Sequence, residues 1–328
     1  MSENTISSLD DAKRQLREIM ESLSKSHREH LLSFAIQEWM TIKIGDDSDD
    51  ELNDEDEYML DDPVATLNKI AKEIRQKVPF DAVLPSEKIK VSSSGPNSDC
   101  HPDITTHVDG FLYNDDEVDD LVKEGKLSSH YCKDCGSKNS DSLIYISHSV
   151  SRENLYLIFN TLLPTLDGKI VLDVGSRLGA VLYGAYVYTD ADKIIGVEMN
   201  KDLCDLQNEV VRKHKMDKRI EIINKRIEDA GDVVRKADVV VLHNVFEFYL
   251  SEDEQRNVWK FLQENIKKGT FVISSPSIEV SLSKLDTGID VARWIKRVDS
   301  ETEDQVNYFD SKEENADDCP DMFCYKVL

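Results

Sequence analysis

Two acids and two glycines carry the most specific chemistry in this sequence. Asp173, Gly175 and Gly179 lie in Val171-Leu-Asp-Val-Gly-Ser-Arg-Leu-Gly-Ala180, and Glu198 follows 25 residues after Asp173, closing Lys-Ile-Ile-Gly-Val-Glu. An apolar run that breaks at glycine and passes into a helical pattern describes a strand, a tight turn and a helix. Glycine at 175 lets the backbone turn sharply and approach a ligand, and glycine at 179 allows close packing where the helix starts. In open parallel sheets, ligands settle beyond the carboxyl ends of the strands, where both acids are expected. A carboxylate at the end of the second strand can accept hydrogen bonds from both hydroxyls of a ribose, whichever adenosyl compound carries it. The loop discriminates further. A pyrophosphate calls for G-x-G-x-x-G at a helix N-terminus. Here the pattern is D-x-G-x-x-x-G, and Asp173 would repel a pyrophosphate and attract a cation.

Two other groups could do chemistry. The fourth apolar run of this half ends in Leu242-His243-Asn244-Val245-Phe246-Glu247-Phe248. Asn244 offers an amide oxygen to an acceptor nitrogen. His243 titrates near neutrality and could take a proton, or it could simply pack in the core. His130-Tyr-Cys132-Lys-Asp-Cys135-Gly136 contains a C-x-x-C pair, a spacing at which two thiolates can share one zinc ion. The chain has no second such pair, so the remaining ligands would be chosen from Cys100, His101, His107, His130 and His148, with His107 and His148 the assigned candidates. Structural thiols and a redox pair are the alternatives. A zinc ion here would staple the 100–150 segment and stand apart from the other chemistry.

The elements that must position these residues are legible from Lys169 onward. KIVLDVG, KIIGVEM, IEIIN, DVVVLHN and TFVISSP read as strands, separated by helical patterns at LGAVLYGAYVY, Lys201 to Met216 and Glu252 to Lys267. This alternation implies an α/β fold: a Rossmann-like, mostly parallel sheet with helices on both faces. ARWIKRV and MFCYKVL are candidate closing strands. Ser151 is an expected N-cap for a helix leading into the first strand. Ahead of this lies a helical N-terminal region, 1–95, with amphipathic patterns over 9–42 and 63–78 and an acidic segment, 44–62, expected to be disordered. A small insert, 96–150, carries the C-x-x-C pair, and 151–328 forms the domain with the glycine loop.

Residues 151–328 resemble the class I S-adenosylmethionine (SAM)-dependent methyltransferases. Asp173, Gly175 and Gly179 match the acid and two glycines of that family's first motif, with Arg177 standing where the family has its middle glycine. The resemblance implies that Asp173, Gly175, Ser176, Arg177 and Gly179 surround the amino-acid end of SAM, and that Glu198 and Met199 hold its ribose. It further implies that Arg226 and Ile227 meet the adenine and that His243 and Asn244 face the methyl acceptor. The segments Asp173-Val-Gly-Ser-Arg-Leu-Gly-Ala-Val, Ile195-Gly-Val-Glu-Met and Leu203-Cys-Asp-Leu are similar to the cofactor site of Dot1-type histone lysine methyltransferases. The likeness covers only the cofactor site and admits a protein lysine as substrate, and a protein side chain is the favoured acceptor.

Composition narrows the partners. The chain has 328 residues, 40% hydrophobic and 32% charged, with a formal net charge of −25. Such an excess of acid repels phosphate backbones, so no direct nucleic-acid partner is expected; a basic protein or a small molecule fits better. No apolar run is long enough for a bilayer, and the N-terminus lacks the pattern of a signal peptide, so no membrane association and a cytoplasmic or nuclear location are expected. The six cysteines suggest no disulfide framework. The alternatives to a protein methyltransferase are a non-catalytic adaptor on the same scaffold and a small-molecule methyltransferase.

Overall fold

The computed structural model describes residues 62–89, 104–132, 140–142, 144–298 and 322–328, with side chains for all of these except 131, 132, 140–142 and 144. The expected helix over 9–42, nearly all of the acidic segment 44–62, and Cys135 lie outside the described residues. The described residues all belong to one compact unit, Asp61–Leu328.

The chain enters through helix α1 (Pro63–Arg75), where the Asp62 carboxylate accepts from the Val64 N–H at 3.1 Å and proline occupies the first turn. Strand β1 (Thr105–His107) is followed by α2 (Asp115–Lys123), which begins with a reciprocal Asn114–Glu117 capping box. Strands β2 (His130–Cys132) and β3 (Ser140–Ser142) pair antiparallel, and β4 (Ile144–Ile146) pairs in parallel with β1. Helix α3 (Arg152–Leu157) starts at Ser151, whose hydroxyl accepts from the Asn154 N–H at 3.1 Å, as its sequence predicts.

The central sheet follows. Its strands are β5 (Ile170–Val174), β6 (Lys193–Glu198), β7 (Ile220–Asn224), β8 (Val239–His243), β9 (Phe271–Ser275), β10 (Ile295–Arg297) and β11 (Phe323–Val327). The spatial order is β7-β6-β5-β8-β9-β11-β10, parallel throughout except for β11. The expected closing strands therefore exist, although Val291–Trp294 first forms one helical turn. The antiparallel β11 between β9 and β10 distinguishes this sheet from the all-parallel dinucleotide-binding arrangement.

Successive strand residues point to opposite faces, which divides the core in two. Val171, Ile194, Val239, Val241 and Ile273 face a cluster with α4 (Ala180–Tyr188) and α5 (Lys201–Lys213). Leu172, Val174, Ile195, Val240 and Val272 face a second cluster with α7 (Glu252–Asn265), which lies beyond the short α6 (Gly231–Val234). Leu67, Ile70 and Ile74 of α1, with Ala82, Phe111 and Leu112, belong to the first of these clusters. The boundaries drawn at 95 and 150 from sequence do not separate cores: the described parts of those stretches complete the apolar face of α4. Among the described residues, no helix is long and apolar enough to cross a membrane.

Candidate active site

A cavity of about 590 Å³ opens where β5, β6, β7 and β8 end. It lies at the switch point of the sheet, because the chain runs outward from β5 to β6 and β7 and then returns to place β8 on the other side of β5. Its size suits a small ligand with several polar contacts.

Glu198 is held on its wall by the backbone. The side chain is buried, Oε1 accepts from the Asn200 N–H at 2.7 Å, and Oε2 accepts from the Arg177 N–H at 3.1 Å. Two backbone donors fix the carboxylate plane and leave lone pairs for a pair of ligand hydroxyls. Burial pushes its pKa up, and the Asn200 and Arg177 N–H groups work against that shift.

Both glycines have the positive φ that favours glycine, 71° at Gly175 and 87° at Gly179. A methyl group at Gly175 would lie 2.4 Å from Val245 Cγ2, and one at Gly179 would lie 2.7 Å from the Tyr183 ring. The first glycine thus makes room for the loop after β8, and the second for α4.

Asp173 lies beneath this wall, at 4% exposure, between Gly196 of β6 and Val241 of β8. Burial pushes its pKa up to about 8, and the charge on Glu198 adds to the shift. Asp173 is not among the residues that line the cavity, and held protonated near neutral pH it carries little charge to offer a ligand. Ser176 departs from its sequence assignment. Its hydroxyl donates to Gln207 Oε1 at 2.8 Å, so the side chain turns toward α5 and not into the cavity.

Arg177 neither plugs the cavity nor hangs free. Its backbone is left-handed, with φ 43°, and its guanidinium is buried. Nε donates to Glu87 Oε1 at 2.9 Å, Nη1 to Asp109 Oδ2 at 2.9 Å, and Nη2 to the Ala82 carbonyl. These partners are 90, 68 and 95 residues away.

Met199, Arg226 and Ile227 lie on the wall beyond Glu198. Arg226 pairs with Glu228 at 3.1 Å. On the opposite side stand His148, His243, Asn244 and Tyr249. Asn244 has φ 48° and donates from its backbone to the Ser275 carbonyl at 2.7 Å. Its amide nitrogen donates to the Ser147 carbonyl at 3.3 Å, which leaves the amide oxygen and the second N–H for a ligand. His243 is neutral at ordinary pH, because burial pushes its pKa down to about 4. The Ser149 backbone faces the ring, yet neither ring nitrogen has hydrogen-bond geometry to a partner. The Tyr249 hydroxyl faces the Arg177 side chain, also without full hydrogen-bond geometry.

The two imidazoles assigned to zinc meet each other. His107 Nδ1 and His148 Nε2 are 3.0 Å apart, close enough for a hydrogen bond. Among the described residues, no three His, Cys, Asp or Glu side chains are grouped to hold a metal. The Cys132 side chain and Cys135 fall outside those residues, so the C-x-x-C pair is not part of that comparison.

Sequence reading missed Glu87, Asp109 and Tyr249. Asp109-Gly110 is a turn signal, but nothing in spacing ties it or Glu87 to Arg177.

No family model and no curated protein matches the chain. Solved structures similar to it include an RNA methyltransferase of Salinibacter ruber in complex with S-adenosyl-L-homocysteine, at 16% identity over 54% of this chain and 88% of that one, with a TM-score of 0.34. A precorrin-6y C5,15-methyltransferase of Geobacter metallireducens is similar at 10% identity over 46% and 75%, with a TM-score of 0.37. A precorrin 8W decarboxylase of Methanobacterium thermoautotrophicum is similar at 14% over 46% and 76%, with a TM-score of 0.36. Two methyltransferases and a decarboxylase stand together here, so likeness of this kind carries no reaction.

Proposed function

We propose that the chain binds SAM in this cavity and transfers its methyl group to an acceptor that enters beside His243, Asn244 and Tyr249. The observation that carries the reading is the Glu198 carboxylate, held by two backbone N–H groups at the end of the second central strand. Asp173, buried below it near Glu198, would favour a cationic ligand only when ionised. When bound, SAM supplies an electrophilic methyl on a positively charged sulfur.

The remaining work is positional. Glu198 accepts from the ribose hydroxyls. Gly175 keeps the loop close to the ligand while admitting Val245. Asn244 orients an acceptor N–H through its amide oxygen. His243, uncharged and weakly basic, hydrogen-bonds the acceptor and takes up a proton only from a group that methylation has acidified. Alignment of three atoms and exclusion of water supply most of the acceleration.

A basic protein is the acceptor class that the net charge of −25 favours. The test is tritium transfer from methyl-labelled SAM to SAM-depleted cell extract. Label in protein bands, lost with Asn244→Ala, is the expected result. Label confined to small molecules would replace the protein acceptor with a metabolite. A protein that neither labels nor binds SAM is an adaptor.

A further inference from the structure

Glu198 is tied twice to the same remote segment. The N–H groups on its two oxygens belong to Arg177 and Asn200, and the side chains of both residues reach residues 82–89. Arg177 holds Glu87 and the Ala82 carbonyl, and Asn200 Nδ2 donates to Ser86 Oγ at 3.1 Å. Ser86, Glu87 and Lys88 line the cavity, so this segment is part of its wall although it lies far from the glycine loop in sequence. Its far end packs Ile89 against Phe248, beside Tyr249 on the acceptor side.

The grip on the segment is well satisfied. Glu87 Oε2 accepts from the Leu84 N–H at 2.7 Å. Asp109 Oδ1 accepts from Phe111 and Leu112 N–H at 3.1 and 3.2 Å, and its Oδ2 from Ser149 Oγ at 2.6 Å. The Arg177, Glu87 and Asp109 side chains are 7%, 3% and 1% exposed, so water screens these pairs little. A glycine at 177 would relieve the left-handed backbone and lose every one of these side-chain contacts.

We infer that residues 82–89 form a cover over the cofactor, with Arg177 as the positioning residue that locks it to the carboxylate beneath. The inference rests on the SAM reading of the cavity and adds what retains the ligand. Because Arg177 joins Glu198 through its backbone and the cover through its side chain, closure and cofactor binding are one linked equilibrium. Losing the lock speeds cofactor escape more than it slows entry.

The test is the rate at which S-adenosylhomocysteine leaves the full-length protein, followed by displacement in a stopped-flow instrument. Arg177→Lys keeps the charge without the fork, and Glu87→Gln weakens the same pair from the cover; each speeds release about tenfold with little change in association rate. Ser86→Ala, at an exposed position that does not threaten folding, speeds it about twofold. Hydrogen exchange supplies the second readout: amides of residues 82–89 slow when ligand binds the wild type, and slow less in the variants. Release rates equal to wild type in all three variants overturn the cover while leaving the SAM site intact. Lower melting temperatures without faster release reduce Arg177 to a structural role and overturn it equally. A wild type that binds neither SAM nor its product removes both readings.

Discussion

Asp173 sits where a negative charge is costly without a ligand. Its ordinary pKa is 3.8, and burial raises it to about 8 in the folded chain. Between those values the folded protein holds a proton that the unfolded chain has released, so ligand-free stability falls as pH rises through that window. Asp173→Asn removes this dependence. At neutral pH the ligand-free variant is more stable by about 1–3 kcal/mol, and its stability changes less between about pH 4 and 8. Urea unfolding at the two ends of that range checks the slope. An unchanged slope in the variant would assign the pH dependence to another group. The same residue draws a cation only when ionised, so SAM affinity in the wild type rises toward pH 8 and falls sharply in the variant. The place of this acid near the end of the first central strand was legible in sequence because an apolar run before a glycine turn is a local pattern. The fate of Arg177 was not, because its partners Glu87 and Asp109 come from other parts of the chain and carry no periodicity.

Strands and helices that bury one face announce themselves by spacing, and those that do not stay hidden. β5, β6, β8 and β9 are apolar runs with both faces covered, and all were readable. The three-residue strands β1 to β4 were not, since so short an element shows no period. The loops fall between these cases. Sequence explains Gly175 by its turn, but the loop after β8 constrains it as strongly, through Val245. Gly175→Ala is expected to destabilise the protein by about 2–4 kcal/mol, from the positive φ and the 2.4 Å approach together. Adding Val245→Ala recovers the steric part and not the backbone part. Thermal unfolding of the single and double variants measures both, and a double variant no more stable than Gly175→Ala would show that Val245 is not what the methyl meets.

At the scale of the whole molecule, the half that carries the glycine loop is not self-sufficient. Leu67, Ile70, Ile74 and Phe111 are at most 1% exposed and share a core with α4. A chain cut to 151–328 leaves that apolar face in water, at a cost of about 1.5–3 kcal/mol for each large side chain no longer covered. It is expected to aggregate or lose its near-ultraviolet circular dichroism, whereas a chain beginning at residue 62 folds. A cooperative, soluble 151–328 fragment would restore the boundary that sequence composition suggests. The cofactor reading needs the intact wall and is tested most directly by calorimetric titration of the full chain with SAM, wild type beside Glu198→Gln. One site per chain is expected, with affinity in the variant weaker by about 1–3 kcal/mol because a ribose hydroxyl loses its charged acceptor. Equal affinities would take Glu198 out of the site, and no heat with SAM or its demethylated product would contradict the account altogether.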